Sequence, residues 1–396
     1  MQPNSVIDCL TGTLPAEPRG NTPFNEAGCS LLTALSAALM KTPEAKKLPD
    51  VMAFAFWCRT AHLKQLAKHV HDKKQRLGRG LAFHISPSNV PINAFYSFAF
   101  GLLSGNANIV RLPSKSSQSV DLVLSALSQL FKEKRFQELG SENAFVRYDH
   151  TSLATDEFSA VCDVRIIWGG DKTIAQVRKS PIAARTTEIA FADRYSFAVI
   201  DAETIAAMPD KPLERAAAGF FNDTLQMDQN ACSSPHLIVW INSSNAKGKS
   251  RFWQALKSYT ESNYSIEPVQ AVDRYTRLLS GFTQTAGQKL ITELSAPVQR
   301  VQLHNLPADT DKLRGLYGLF YEYDAATLDE VAHIVNKKYQ TLTYLGVEPS
   351  ELSEFVISNR LRGIDRIVPV GNALDIDVIW DGHDVLKELT RIIDVR

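Results

Sequence analysis

Between Leu81 and Ile200, short apolar runs alternate with longer stretches of helical periodicity, and this alternation constrains the fold more than any other feature of the chain. The runs Leu81–Ile85, Ala107–Leu112, Ala144–Arg147, Val164–Trp168 and Ser196–Ile200 read as strands. The stretches Ile92–Leu103, Ser119–Lys134 and Asp171–Arg178 read as helices. Strands separated by crossover helices imply a parallel, doubly wound α/β sheet. Ligands of such sheets sit beyond the carboxyl ends of the strands. The residues just after each strand are therefore the first candidates for function.

Three of these stretches carry suitable chemistry. Ser86-Pro87-Ser88-Asn89-Val90-Pro91 holds Asn89 between two prolines that stiffen the turn, so its amide is either an aimed donor or an ordinary turn former. Arg111-Leu112-Pro113-Ser114-Lys115-Ser116 offers two cations and several hydroxyls, suited to a phosphate or to a solvated loop. Gly169-Gly170-Asp171 places glycines before a helix, where backbone N–H groups approach phosphates. Neither it nor Gly78-Arg79-Gly80 completes a dinucleotide fingerprint.

Upstream, residues 1–26 are rich in Pro, Asn, Thr and Gly and read as an irregular arm. Leu31–Leu39 and the longer Val51–Val70 segment have helical spacing, with Asp50 as N-cap of the second. His69 and His71 do not share a helix face and read as solvated. Downstream, an amphipathic helix over Leu213–Thr224 runs into Gln226–His236, and the strand-like Leu237–Trp240 leaves it. Cys232 lies in that connection among small polar residues. It is either a nucleophile or a small buried apolar side chain. Further strands are expected at Val298–Leu303 and Leu316–Tyr323, and helices at Arg251–Glu261, Leu328–Lys338 and Asp384–Ile393.

Bulk properties narrow the function classes. Lys+Arg and Asp+Glu are both 43, so a zero net charge argues against a nucleic-acid or polybasic membrane surface. Five scattered cysteines without a CxxC pair suggest neither a metal site nor a disulfide framework, and fit a reducing cytoplasm. The start of the chain lacks a signal-peptide order, and no apolar run is long enough to span a bilayer.

Taken together, Pro87-x-Asn89-x-Pro91, Ser104–Arg111, Phe191–Ser196, Asp228–Pro235 and Gly363–Gly371 resemble, in order, motifs of the aldehyde dehydrogenase superfamily, in the form of its LuxC-type acyl-CoA reductase branch. The resemblance runs from about Gly80 to the C-terminus. It implies an aldehyde dehydrogenase-like fold: a Rossmann-like nicotinamide domain over 80–200, a related α/β catalytic domain over 201–358, and a segment 359–396 offering oligomer contacts, after an N-terminal region 1–79.

The resemblance further implies that Cys232 attacks an acyl thioester and that the amide of Asn89 steadies the oxyanion. Arg111, Ser114, Lys115, Gly169 and Gly170 are the expected cofactor contacts. NAD-preferring relatives keep a carboxylate after the second strand. Ser114 and Lys115 stand there instead, which predicts NADPH. The expected activity is reduction of an acyl-CoA or acyl-carrier thioester to an aldehyde. A CoA-acylating oxidation, or acyl transfer to a partner protein without reduction, is the alternative. A homo-oligomer is expected. Two departures stand out: Ala190 occupies the place of the water-activating glutamate, with Glu188 two residues earlier, and Gly315 replaces a ribose-binding glutamate.

Overall fold

The computed structural model describes residues 7–70, 75–284, 288–293 and 296–396. They form two compact units, one of Met1–Ala192 with Ile376–Arg396 and one of Asp193–Asp375.

In the first unit, five parallel strands form the body of a six-stranded sheet. Their spatial order is Asn143–Arg147, Ala107–Arg111, Leu81–Ile85, Val164–Trp168 and Thr187–Phe191. Chain order therefore reverses between Leu81–Ile85 and Val164–Trp168, the point at which a doubly wound sheet opens its ligand crevice. Val164–Trp168 is buried along its whole length, as a strand covered on both faces must be. The helices Asn93–Leu103, Gln118–Lys132 and Asp171–Val177 lie within two residues of the expected spans.

A buried polar chain crosses this sheet. Trp168 Nε1 donates to Ser97 Oγ at 2.9 Å, and Ser97 lies 2.7 Å from His84 Nδ1. His84 Nε2 lies 2.9 Å from Asn108 Oδ1, and the Asn108 amide donates to Asn143 Oδ1 at 2.7 Å. Since the Asn108 oxygen can only accept, His84 carries its proton on Nε2. Burial pushes the His84 pKa down to about 4, so the ring stays neutral. The chain holds the indole of Trp168 beside the Gly169 turn.

The second unit is a seven-stranded sheet in the order Lys289–Leu290, Gln299–Gln302, Leu319–Asp324, Pro235–Ile241, Tyr195–Asp201, Tyr339–Leu345 and Arg366–Pro369. All but the first, edge strand are parallel. Apolar clusters cover both faces, one around Phe197, Leu237 and Leu342, the other around Phe220, Trp240 and Phe252.

Several local expectations are corrected. The N-terminal arm contains a strand, Asp8–Gly12, paired antiparallel to Asn143–Arg147. The Val51–Val70 periodicity belongs to two helices, Pro49–Trp57 and Thr60–Val70, and Leu48 rather than Asp50 occupies the N-cap position. His69 is exposed, and His71 lies outside the described residues. Leu328–Ile334 is a 3₁₀ helix, with Val331 and Ile334 buried three residues apart, and it ends well before Lys338. The strand expected from Leu316 begins at Leu319, because Tyr317 and Gly318 take positive φ. Asp384–Ile393 divides into a four-residue helix, Val385–Glu388, and a strand, Thr390–Ile393, paired with Gln75–Gly78. Its Thr-Arg-Ile-Ile sequence favours extended backbone once a partner strand is present.

Candidate active site

In the first unit, the sheet brings three of the sequence-selected stretches to one edge. Ile85 is in register with both Arg111 and Ile167, so the residues following these three strands emerge side by side. Ser86 N–H donates to the Arg111 carbonyl at 3.1 Å. Gly169 N–H donates to the Phe191 carbonyl at 3.1 Å, while Phe191 stacks on Trp168 at 3.9 Å. Asn89 is exposed on the turn between the buried Pro87 and Val90.

The polar groups along this edge are not all used by the protein. Ser86 Oγ and Arg111 Nε are buried and lack a hydrogen-bond partner among the described residues. The guanidinium of Arg111 is half-buried and lies over the Tyr148 ring, 4.8 Å from its centroid. Such atoms are costly unless something accepts or donates to them. Ser114 and Lys115 are exposed, and a Cβ on Gly170 would meet nothing within 4 Å. An anionic, polyhydroxylated ligand fits this donor set.

In the second unit, Cys232 is half-buried on the turn between the 3₁₀ segment Leu225–Met227 and the strand Pro235–Ile241. The turn is clamped from several sides. Asp228 and Gln229 both adopt left-handed backbone, at φ 52° and 59°. Two consecutive non-glycine residues there need outside support. Asp228 receives it from Tyr264 Oη at 2.5 Å and Gln270 Nε2 at 3.1 Å. Gln229 is buried, donates to the Leu319 carbonyl at 3.1 Å and accepts from Gly318 N–H at 2.9 Å.

Beneath the cysteine, three motif segments are tied together. Ser196 Oγ donates to the Cys232 carbonyl at 2.7 Å and accepts from Thr341 N–H at 3.1 Å. Ser234 Oγ donates to the Asp223 carbonyl at 2.7 Å. The Asp223 carboxylate accepts from Gly371 N–H at 2.6 Å and Ala373 N–H at 2.8 Å. Burial pushes the Asp223 pKa up to about 7 against the effect of those two N–H groups. Ser196, Ser234 and Gly371 stand in the sequence motifs, but no local pattern shows that they support one loop. Asp223 is in no motif, and its one signal in the sequence is an acidic residue at the end of an amphipathic helix.

His236, four residues past the cysteine, is no base. Its ring is buried, stacks on Tyr195 at 5.4 Å and bonds the Gly315 carbonyl through Nδ1 at 2.8 Å. Burial, with Arg314 and Arg277 nearby, pushes its pKa down to about 3.

Both departures from the superfamily pattern have physical explanations. A Cβ on Gly315 would sit 1.7 Å from the Leu319 carbonyl oxygen, so no side chain, a glutamate included, fits there. Glu188 is held by Arg165 at 2.5 Å and by Arg178 at 2.7 Å. Burial raises its pKa, but hydrogen bonds from Arg178 and Arg165 outweigh it and hold the carboxyl below its usual range. Such a carboxylate is a weak base locked in a structural ion pair.

A family model described as LuxC acyl-CoA reductase matches residues 22–392. The chain belongs to the LuxC acyl-CoA reductase family. Membership thus begins near Thr22, well before the Gly80 at which the motif resemblance starts. The long-chain acyl-protein thioester reductase of Vibrio harveyi is 26% identical over 324 residues, covering 80% of this chain and 63% of that protein. The chain therefore spans less than two thirds of its relative's length. The fold is that of aldehyde dehydrogenases. Lactaldehyde dehydrogenase from Escherichia coli superposes with a TM-score of 0.66 at 10% identity, over 92% of this chain and 86% of the other. An indole-3-acetaldehyde dehydrogenase in complex with NAD+ gives 0.66 at 11% identity, over 93% and 83%. Among the described residues no helix is long and apolar enough to cross a membrane.

Proposed function

We propose that the LuxC-family chain reduces an acyl thioester to an aldehyde through an acyl-enzyme on Cys232. The observation that carries this reading is the clamped, half-buried Cys232 turn, fixed by Ser196, Gln229 and Asp228. Rigid support of that kind holds a nucleophile in attack geometry. The Cys232 thiolate attacks the thioester carbonyl, the donor thiol leaves, and the acyl group stays on sulfur. Asn89, carried by the first unit, is assigned the role of oxyanion donor, a contact whose loss commonly costs about 10²–10³ in rate.

A nicotinamide cofactor would supply the hydride that releases the aldehyde. The unpartnered Ser86 Oγ and Arg111 Nε, the open space at Gly170, and the exposed Ser114 and Lys115 support its binding along the strand ends of the first unit. The NAD+ complex of a structural relative supports the cofactor class, and Lys115 supports NADPH within it. The absence of a usable base at Ala190 and Glu188 favours reduction over hydrolysis of the acyl group.

The name of the Vibrio relative speaks for a protein-borne acyl donor, and acyl-CoA shares the same thioester chemistry. The test incubates the chain with acyl-CoA or an acylated carrier protein, with and without NADPH. An acyl adduct is expected by intact mass, lost in Cys232→Ala, together with oxidation of NADPH and release of the aldehyde. An adduct without NADPH oxidation would identify an acyl-transfer protein instead. No adduct from either donor overturns the reading.

A further inference from the structure

Three cations stand at the carboxyl ends of two neighbouring strands of the first unit. Arg111 ends the strand Ala107–Arg111, Lys115 lies on the loop that follows it, and Arg147 ends the adjacent strand Asn143–Arg147. Arg111 is in register with Val146, and Leu112 N–H donates to the Val146 carbonyl at 2.9 Å, so the loop leaves its strand directly beside Arg147. Arg147 is half-buried, and its Nε donates to the Pro113 carbonyl at 3.0 Å. Its two terminal nitrogens make no hydrogen bond or ion pair among the described residues.

The carboxylates of this edge are engaged elsewhere or stand apart. Asp149 accepts from Thr151 N–H at 2.8 Å and from Thr151 Oγ1 at 2.6 Å. Asp121 accepts from Ser116 Oγ at 2.7 Å. Asp8 is opposite Arg147 across the antiparallel strand pair, without an ion pair between them. Arg111, Lys115 and Arg147 therefore pair with no carboxylate among the described residues. Like charges gathered at one edge repel, and an anion held among them relieves the repulsion.

We propose that Arg147 reads the 2′-phosphate of the cofactor together with Lys115, an inference that rests on the nicotinamide-binding reading given above. The strand after the first crossover is where a dinucleotide-binding sheet meets the 2′ position of the ribose, and in this chain that strand is Ala107–Arg111. A phosphate monoester carries about two negative charges at pH 7 and three strong acceptor oxygens. The guanidinium of Arg147 is fixed through Nε, so its remaining N–H groups form a rigid fork suited to two of those oxygens, while Lys115 supplies a mobile point charge. Arg147 thus has two tasks. It pins the loop that carries Ser114 and Lys115, and it adds a second cation to the phosphate. A ribose hydroxyl, as in NADH, offers no charge for either cation to meet.

Calorimetric titration of the full chain with NADP+ and with NAD+, without any acyl donor, tests the proposal in the unsubstituted protein and in Arg147→Gln. The expected result is a loss of roughly 10–100-fold in NADP+ affinity, with NAD+ affinity changed by less than about threefold. NAD+ binding also reports that the variant is folded. Arg147→Lys, which keeps the charge and loses the fork, should fall between the two. Equal losses with both dinucleotides would mean that Arg147 only pins the Pro113 loop, and would overturn the proposal. So would an unchanged NADP+ affinity in Arg147→Gln, or an unsubstituted protein that binds NADP+ no better than NAD+. Neither titration involves Cys232, so failure of the acyl adduct to form and failure of this inference are separate results.

Discussion

The hydroxyl of Ser196 donates to the carbonyl of Cys232 at 2.7 Å and is itself the acceptor for Thr341 N–H. One side chain thus bridges the candidate nucleophile to the neighbouring strand. Ser196→Ala removes a bond to the buried Thr341 N–H and one to the partly buried Cys232 carbonyl. Each unmade bond costs about 1–3 kcal/mol. The expected outcome is a lower urea midpoint and slower formation of the Cys232 adduct, measured by quenched-flow mass spectrometry. Normal stability and a normal acylation rate would show that the bridge holds nothing the turn needs.

Asp223 titrates where most carboxyls do not. Its folded pKa of about 7 lies above the value near 3.9 of an unfolded aspartate. Between these values the folded state holds a proton that the unfolded state has released. Stability is therefore fully present below the unfolded pKa and falls as pH rises through the folded one. Melting temperature should decline from about pH 4 to pH 7, a segment that Asp223→Asn flattens. Because the asparagine amide turns an NH₂ toward Gly371 or Ala373 N–H, that variant should also be less stable at pH 5. A wild-type profile indifferent to this substitution would locate the titration elsewhere.

The parallel strands of both units were legible because continuous burial writes itself as continuous apolar runs, as in Val164–Trp168 and Leu237–Trp240. Cys232 and Asn89 were legible as residues in suggestive loops. Their supports were not. Ser196 reaches Cys232 across 36 positions and Asp223 reaches Gly371 across 148, and no local pattern encodes such hydrogen bonds. The Thr390–Ile393 strand was misread for the same reason. Val385, Leu386 and Leu389 satisfy a helical period, and the partner strand Gln75–Gly78 lies at the other end of the sequence.

Glu188 sits between Arg165 and Arg178 and is ion-paired to both. Glu188→Gln removes the partner of the buried Arg165 guanidinium. Breaking such a pair costs about 3–5 kcal/mol when the remaining charge stays buried. The folded pKa of Glu188 is depressed, so its contribution is present above the unfolded value and lost as pH falls through the folded one. The variant should melt earlier at neutral pH, and its deficit should shrink in acid. The share of acyl-enzyme hydrolysed rather than reduced should not change. A selective fall in hydrolysis at unchanged stability would make Glu188 the base after all.

On the proposed reading, Lys115 is the residue on which cofactor choice turns. It is exposed beside Ser114, just beyond the strand that ends in Arg111. A 2′-phosphate would gain a charge-assisted contact there, worth about 1.5–3 kcal/mol. Lys115→Glu removes that contact and opposes the phosphate with a like charge, while the two ribose hydroxyls of NADH can donate to the new carboxylate. The expected result is a fall of roughly 10–100-fold in kcat/KM for NADPH, borne mainly by KM, with NADH unchanged or improved. Because the side chain lies in solvent, melting temperature should stay within error and separate the effect from misfolding. Equal losses with both cofactors would mean that Lys115 contacts the shared pyrophosphate. No loss with either would move the specificity determinant off this loop.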